Sequence, residues 1–364
     1  MARSADDDAN LTAEGAGLLS PAERLQFVAE PTPEPGATVA IAAGLHWLRM
    51  PLPIDLNHIN LWLLEDGDGF TLIDTGLAAS MCTAVWEQLE ATLLRRRPLR
   101  RILLTHFHPD HIGCAAWLQR RHGVPVRMAA RAMPAARWLI DGPTPAERAQ
   151  LVDYFAAHGM DAADAFVQQL QGLRSGSQVR GMPEITAPLA AGEQVVAGAW
   201  RFEVIETDGH AIAHQSFWSA ASRVLISGDV VLPSISPNIP LAPANWGQDP
   251  LGDYLLSLER LERLPEDTLV LPSHGRPFRG LRARAADLRA HHPAHLALLR
   301  ASLAEPRSAC ELMPLLFGRR LQGPLHQMLG LYECVAHLEH LVRRREALRE
   351  ATAAGGHRYR RTGL

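Results

Sequence analysis

A run of histidines with one aspartate carries the strongest chemical signal in the sequence. Residues 105–113 read Thr-His-Phe-His-Pro-Asp-His-Ile-Gly and directly follow residues 101–104, an apolar run that predicts a buried strand. Three imidazoles and a carboxylate so close together would repel one another and lose hydration if they packed as ordinary core. Neutral imidazole nitrogen and carboxylate oxygen are ligand types that zinc prefers. The segment therefore predicts a site for divalent cations at a strand end, where α/β folds place functional loops.

The spacing within this segment predicts two binding points. In an extended chain His106 and His108 point to the same side. The turn at Pro109 then directs Asp110 and His111 towards a second point close by. Two cations would remove the repulsion between these groups.

Three further segments repeat the pattern of a predicted strand followed by a ligand-type residue. They are Thr-Asp-Gly-His at 207–210, Leu-Ile-Ser-Gly-Asp at 225–229 and Leu-Val-Leu-Pro-Ser-His-Gly at 269–275. In this order, and together with the His-x-His-x-Asp-His run, they resemble the motifs of the metallo-β-lactamase fold superfamily. That superfamily includes glyoxalase II, quorum-quenching lactonases, tRNase Z and many thioesterases. The resemblance covers residues 40 to 280.

The resemblance implies a fold, a cofactor and a set of ligands. The implied fold belongs to the α/β class and has four αββα layers, and the implied cofactor is a pair of divalent cations, zinc foremost, with iron or manganese open. The first cation would be held by three histidines, the second by an aspartate and two histidines, and both by one bridging aspartate: His106, His108 and His210; Asp110, His111 and His274; and Asp229. A metal-bound hydroxide would attack an acyl carbonyl, with Asp110 and Asp229 as catalytic ligands. The chain lacks the G-x-S-x-G turn of serine hydrolases, which agrees with that mechanism.

Four other polar residues are weaker candidates for a role in the metal site or its pocket. Asp74, in an Asp-Thr-Gly turn, matches a family motif beside the metals and is expected to orient a ligand histidine. His214, four residues after the glycine–histidine turn, is a catalytic candidate through a contact with substrate or a ligand, with a structural role as the alternative. His58 and Asn60 lie in a predicted strand that borders the pocket, where a cross-strand hydrogen bond is the alternative.

The patterns around these motifs predict the scaffold of a catalytic domain at residues 39–280. Short apolar runs separated by turns predict hairpins up to residue 73, a helix is predicted at 79–94, and strand patterns return between 202 and 271. A helical insertion at about 143–171 lies between two metal-binding motifs and is expected to cap the pocket. Packing of these helices on the sheet is the alternative.

The two ends of the chain differ from this domain. Residues 1–38 are polar and Pro-rich, which predicts a poorly ordered tail with a short helix near 21–28. Residues 285–364 predict three helices, the first beginning at Pro293, and a hairpin. That arrangement resembles the winged-helix module appended to some hydrolases of this superfamily. Histidines of the C-terminal segment show no ligand spacing and are expected mostly at the surface, as for His292, His295 and His337.

Composition narrows the class of protein further. A chain of 364 residues with 47% apolar residues can bury a sizeable core, and its net charge of -3 gives no general attraction to nucleic acid or anionic membranes. The absence of a membrane-length apolar run and the acidic N-terminus favour a cytoplasmic protein without a membrane partner. The four cysteines lack C-x-x-C spacing and are predicted to be reduced: Cys82, Cys114, Cys310 and Cys334.

Three functions fit these patterns: a dinuclear hydrolase of a small ester, thioester or lactone; an endoribonuclease of the same fold acting on single-stranded RNA; and a non-catalytic, winged-helix regulator that binds nucleic acid. The complete ligand set argues against the third. Residues 1–280 have a charge balance of -10, which argues against a polyanionic substrate, although residues 281–364 have a balance of +7. We therefore expect a small-molecule substrate and no nucleic-acid partner. The C-terminal module is expected to pack on the catalytic domain or on a second subunit. The second alternative would make the protein a homodimer.

Overall fold

Two β-sheets pack face to face at the centre of the molecule, and helices cover the outer face of each sheet. The chain thus has the α/β, four-layer αββα architecture that its motifs imply. Large apolar side chains fill the space between the sheets, including Trp47 and Trp62 from one and Phe202 and Phe217 from the other. The computed structural model describes residues 25–28, 30–54, 56–174, 181–353 and 355–363.

The first sheet has six strands in sequential order and contains the predicted hairpins. Its strands are β2 (Thr38–Ala42), β3 (Leu45–Pro51), β4 (His58–Asp66), β5 (Gly69–Ile73), β6 (Leu99–Leu103) and β7 (Val126–Arg127). Strands β2 to β5 pair antiparallel, whereas β5, β6 and β7 pair parallel. The carboxyl ends of β5 and β6 therefore lie together at one edge of the sheet. Asp74 follows β5 directly, and Thr105 lies two residues after β6.

The second sheet has seven strands: β1 (Gln26–Phe27), β8 (Gln194–Ala197), β9 (Trp200–Glu206), β10 (Gln215–Ser219), β11 (Val224–Gly228), β12 (Leu269–Pro272) and β13 (Phe278–Arg279). They lie in the order β1, β13, β12, β11, β10, β9 and β8. Strands β11 and β12 pair parallel, so their carboxyl ends also lie side by side. Asp229 follows β11 directly, and His274 lies two residues after β12.

Helices flank both sheets and form the C-terminal part of the chain. They are α1 (Ser80–Ala91), α2 (Leu93–Arg96), α3 (Pro109–Ile112), α4 (Ala115–His122), α5 (Met133–Asp141), α6 (Pro145–Ala157), α7 (Ala163–Arg174), α8 (Pro250–Glu262), α9 (Leu281–Ser302), α10 (Ala309–Phe317) and α11 (Gly323–Arg343). Helices α1, α4 and α5 pack on the first sheet, and α8 with the first half of α9 packs on the second. A hairpin of β14 (Ala347–Ala351) and β15 (His357–Arg361) follows α11.

The predicted helical insertion corresponds to α6 and α7, which pack on the C-terminal helices rather than on a sheet. Phe155 of α6 is fully buried, with its ring centroid 5.0 Å from that of Phe166 in α7 and 5.7 Å from that of Tyr332 in α11. The Tyr154 hydroxyl donates a hydrogen bond of 2.5 Å to the carbonyl of Leu241. The insertion and the C-terminal helices thus share one hydrophobic core. That the insertion caps a pocket stays a prediction.

The prediction of a poorly ordered N-terminal tail with a short helix is partly wrong. Residues 1–24 lie outside the described residues, but Gln26 and Phe27 form an edge strand that pairs with Arg279 and Phe278. Leu25 is buried in the core beneath the second sheet. A strand replaces the expected helix here because these residues complete the open edge of β13.

The predicted start of the first C-terminal helix is also wrong. Helix α9 begins at Leu281, twelve residues before Pro293, and continues through that proline. Pro293 lacks an N–H and removes one helical hydrogen bond, but the helix is held by burial of Leu288 before it and Leu299 after it. The boundary expected at residue 285 thus lies inside one helix, and that helix joins the core of the second sheet to the C-terminal core.

Two further expectations concern the surface and the cysteines. Within the ranges that the structure describes, no helix combines the length and the apolar character needed to cross a membrane. The four cysteines are thiols, as predicted, and Cys82, Cys114 and Cys334 are buried.

Replacing the Phe155 side chain tests whether the insertion and the C-terminal helices share a core. Phe155→Ala is expected to lower the free energy of unfolding by about 3 to 5 kcal/mol, because it leaves a cavity between α6, α7 and α11. Guanidinium denaturation followed by circular dichroism measures the change. Gln150→Ala, at an exposed position of the same helix, is the control and should stay within about 0.5 kcal/mol of wild type. Equal effects of the two substitutions would contradict the shared core.

Candidate metal centre

The carboxyl ends of strands from both sheets meet at one edge of the molecule and bring all seven predicted ligands together. Backbone hydrogen bonds join the two sheets at this edge: Gln215 N–H donates to the carbonyl of Thr105 at 2.8 Å, and Asn60 N–H donates to that of Ser273 at 2.6 Å. The loops after β6, β9, β11 and β12 therefore start from a rigid frame. Their side chains form two groups, which share Asp229.

The first group consists of His106, His108, His210 and Asp229, whose ligand atoms lie within 4.8 Å of one another. His210 Nε2 is 3.4 Å from Asp229 Oδ2, and His106 Nε2 is 4.0 Å from the same oxygen. His106 and His108 point to the same side, as the extended spacing predicts, with His106 Nε2 2.9 Å from His108 Nδ1.

The second group consists of Asp110, His111 and His274, and the other oxygen of Asp229 faces it. The ligand atoms of Asp110, His111 and His274 lie within 4.8 Å of one another. Asp110 Oδ2 is 3.3 Å from His274 Nε2 and 3.7 Å from His111 Nε2. Asp229 Oδ1 is 3.5 Å from His111 Nε2 and 3.7 Å from His274 Nε2. The two oxygens of a single carboxylate therefore face different groups of ligands.

These residues fit a pair of divalent cations. Tetrahedral zinc with bonds of about 2.0 to 2.1 Å separates its ligand atoms by roughly 3.3 Å, close to the observed separations across each group. His111 Nε2, His210 Nε2 and Asp229 Oδ1 are buried and make no hydrogen bond. Buried polar atoms without a partner are costly, and a cation in each group would satisfy all three.

Hydrogen bonds behind the histidines fix which ring nitrogen faces each group. The Nδ1–H of His111 donates to Asp74 Oδ2 at 2.8 Å, that of His210 donates to the carbonyl of Asn238 at 2.8 Å, and that of His274 donates to the carbonyl of His58 at 2.8 Å. Each bond leaves the Nε2 lone pair directed at the cation position. This is the arrangement by which proteins orient metal-binding histidines.

Asp74 lies where the sequence analysis expected it, beside a ligand histidine. Its carboxylate also accepts hydrogen bonds from the Thr105 N–H at 2.9 Å and from the Thr105 hydroxyl at 2.8 Å. The residue has a left-handed φ of 61°, an uncommon conformation for a residue with a side chain. These bonds hold it there, so that one carboxylate links the ends of β5 and β6 to His111.

His214 lies behind Asp229. It is fully buried; its Nδ1 is 2.7 Å from Thr207 Oγ1, and its Nε2 accepts the backbone N–H of Asp229 at 3.1 Å. Gly228, with a φ of 57°, allows this contact, since a Cβ there would collide with the His214 ring. Both ring nitrogens have partners within the protein, so His214 is placed to hold the Asp229 backbone rather than to contact a substrate.

His58 and Asn60 hold the loop that carries His274. His58 Nε2 accepts the Gly275 N–H at 2.8 Å, and the Asn60 amide donates to the carbonyls of Pro272 at 2.9 Å and Gly275 at 2.8 Å. Both act through hydrogen bonds between elements, the alternative that the sequence analysis left open. Asn238 was not predicted at all. Its backbone carbonyl orients His210, and a backbone acceptor leaves no signal in the residue type.

The ionisation of the site favours cation binding. Burial raises the pKa of both Asp110 and Asp229, but His111 and His274 outweigh this effect. They lower the pKa of Asp110 to about 2 and hold that of Asp229 well below its usual value. Burial, together with His210, lowers the pKa of His108 to about 3. Burial also lowers the pKa of His274, but Asp229 and Asp110 raise it to a net value of about 10. Without a cation, protons on the histidines of the second group balance the charges of Asp110 and Asp229. Cation binding should therefore release protons.

Comparison with known proteins agrees with this geometry. Residues 54–274 match the family model described as the metallo-beta-lactamase superfamily, and residues 296–362 match the model described as its C-terminal domain. The chain is 37% identical to a beta-lactamase domain protein from Burkholderia ambifaria of known structure, with a TM-score of 0.86 over 94% of this chain and 100% of that chain.

Two curated relatives are more distant. Probable metallo-hydrolase YqjP of Bacillus subtilis is 25% identical over 265 residues, which cover 65% of this chain and 73% of the relative. A hydroxyacylglutathione hydrolase of Hahella chejuensis is 26% identical over 239 residues, which cover 64% of this chain and 67% of the relative.

Removing the shared carboxylate tests the two-group arrangement. Asp229→Ala is expected to lower the metal content of the purified protein by at least one ion per chain, since both groups lose a ligand. Elemental analysis by inductively coupled plasma mass spectrometry measures the loss. Asp267→Ala, which removes an exposed carboxylate paired with Arg223, should keep the wild-type content. An Asp229→Ala protein with wild-type metal content would contradict the bridging assignment.

Removing the charge of Asp74 tests its orienting role. Asp74→Asn is expected to weaken metal affinity by about 10- to 100-fold, because an amide does not fix the His111 ring as a carboxylate does. Competition with a metallochromic chelator measures the affinity. Asp68→Asn, on an exposed turn, is the matched control. Unchanged affinity in Asp74→Asn would show that Asp74 acts only in the turn.

Proposed function

Because this chain belongs to the metallo-beta-lactamase superfamily, we propose that it is a dinuclear metal-dependent hydrolase that cleaves a small ester, thioester or lactone. The observation that supports the proposal most directly is the orientation of Asp229, whose two oxygens face two separate groups of ligands. The proposed cations are zinc, with iron or manganese open, because His and Asp ligands accept all three.

The proposed centre combines chemistry from the cations with positioning by the chain. Two cations, when bound, supply an acidified water as nucleophile and positive charge beside the developing oxyanion. Asp110 and Asp229 contribute the negative charge that retains the cations in a buried site. Asp74 and His214 keep His111 and the Asp229 backbone in place. No nucleophilic side chain is invoked, in agreement with the lack of a serine elbow in the sequence.

The charge of the catalytic region favours a small substrate over RNA. Residues 1–280 have a balance of -10, which repels a phosphate backbone, although residues 281–364 have a balance of +7. Part of that positive charge is neutralised within the C-terminal segment, where Arg344 pairs with Glu346, Arg349 with Glu339, Arg358 with Glu311 and Arg360 with Glu350. The name of the Hahella relative, a hydroxyacylglutathione hydrolase, supports an acyl substrate.

The C-terminal segment and the insertion are proposed to shape the rim of the active site through one loop. The loop at 238–241 contacts the metal centre at one end, where the Asn238 carbonyl accepts from His210. At the other end Leu241 N–H donates to the carbonyl of Tyr332 at 3.1 Å, and its own carbonyl accepts from Tyr154. The packing of α6 and α11 therefore helps to fix the position of His210.

A substrate panel tests the proposed function. The zinc-loaded protein is expected to hydrolyse at least one class among p-nitrophenyl esters, acyl thioesters and homoserine lactones, and Asp229→Ala should lose at least about 100-fold in kcat/KM. The Asp267→Ala protein is the control and should remain active. Cleavage of single-stranded RNA without turnover of any acyl substrate would favour the endoribonuclease instead. A trapped covalent acyl-enzyme would contradict the mechanism.

A further inference from the structure

A second cluster of ligand-type side chains lies outside the metal centre, between helices α9 and α11. His295 of α9 faces Glu333 and His337 of α11, and one ligand atom from each lies within 4.8 Å of the other two. Glu333 and His337 are four residues apart, so they share one face of α11. The expectation that His292 and His337 lie at the surface is wrong, since both are fully buried.

We propose that His295, Glu333 and His337 bind a third divalent cation, zinc by the chemistry of the ligands, which fastens α9 to α11. Two imidazoles and a carboxylate form an established ligand set for zinc. A water molecule would complete the four-coordination that zinc prefers. The site is separate from the dinuclear centre and does not depend on the hydrolytic function proposed above.

The orientation of the two histidines suits such a site. His337 Nδ1–H donates to the carbonyl of Glu333 at 2.8 Å, which makes Nε2 the ring nitrogen with the lone pair. This Nε2 lies 3.1 Å from His292 Nδ1, a hydrogen bond that a cation would replace. His295 Nδ1 is buried and makes no hydrogen bond. Burial lowers the pKa of His337 to about 3 and that of His295 to about 4, so both rings are neutral at pH 7 and able to bind a cation.

The carboxylate of Glu333 lacks a positive partner that a cation would supply. Glu333 is 7% exposed, and its carboxylate accepts from neutral donors, the Asn238 amide at 2.6 Å and the backbone of Ile239. Burial accordingly raises its pKa to about 7. A buried carboxyl group beside two neutral imidazoles is unfavourable unless it is compensated, and a divalent cation between the three groups compensates it.

The cluster also adjoins the dinuclear centre. The Asn238 amide contacts Glu333, and the Asn238 carbonyl accepts from His210 at 2.8 Å. A cation at Glu333 would therefore hold the residue that orients a ligand of the first group. Such a cation would therefore let the C-terminal helices stabilise the position of His210 in the catalytic domain.

The number of zinc ions bound tests the proposal. Demetallated protein is dialysed to equilibrium against buffered micromolar zinc and analysed for bound metal. His295→Gln is expected to bind one zinc ion fewer per chain than wild type. The matched control is His326→Gln, which changes an exposed histidine of α11, and it should bind as many ions as wild type. Equal stoichiometry in wild type and His295→Gln would overturn the proposal.

The same comparison in an Asp229→Ala background separates this site from the dinuclear centre. The Asp229→Ala chain is expected to retain one zinc ion that the Asp229→Ala/His295→Gln chain loses. Zinc should also raise the thermal midpoint of the first chain by several degrees and that of the second by less. If His295→Gln fails to fold, as judged by circular dichroism, His337→Gln replaces it. An Asp229→Ala chain that binds no zinc at these concentrations would overturn the proposal without any second variant.

Discussion

The structure depends on one buried carboxylate, that of Asp229, whose side chain is 9% exposed and whose oxygens face imidazoles at 3.4 to 4.0 Å. A carboxylate at this depth needs positive charge close by, because removing it from water costs several kcal/mol. The surrounding imidazoles can provide that charge only by taking up protons. Despite burial, the carboxylates raise the pKa of His111 and His274, which favours protons there, but burial opposes a proton on His106 and His108. The two proposed cations would satisfy the carboxylate and the imidazoles at once. The other residues of the site hold the Asp229 carboxylate and the imidazoles in the orientation that cation binding requires.

The two-sheet fold meets that requirement by bringing together strand ends that are distant in sequence. Parallel pairing of β5 with β6 and of β11 with β12 places the loops that follow them at one edge. Asp74 then links two of these strand ends to His111, while Asn60 holds the loop of His274. On the second sheet His214 accepts the backbone N–H of Asp229 itself. His111, His210, His274 and Asp229 are thus each held by a partner on a different element, so this part of the arrangement depends on the entire fold and not on a local motif.

The sequence predicts the ligands because their signals are local. Alternating histidines after an apolar strand place His106 and His108 on one side whatever the rest of the chain does, and a Gly-Asp pair after a buried strand marks Asp229. Contacts between distant elements left no such signal. The Asn238 carbonyl is a backbone group, and the continuation of α9 through Pro293 depends on burial against two separate cores. The approach of His295 to α11 likewise follows from helix packing, which the spacing within either helix does not reveal.

The central claim is that Asp229 bridges two cations, and anomalous diffraction from crystals of the metal-loaded protein tests it most directly. Data collected on both sides of the absorption edge of the bound metal locate each ion independently of the protein phases. At this edge of the sheets the account predicts two anomalous peaks about 3.5 to 4 Å apart, one beside each oxygen of Asp229. A single peak at this edge of the sheets, or two peaks of which neither adjoins Asp229, would contradict it.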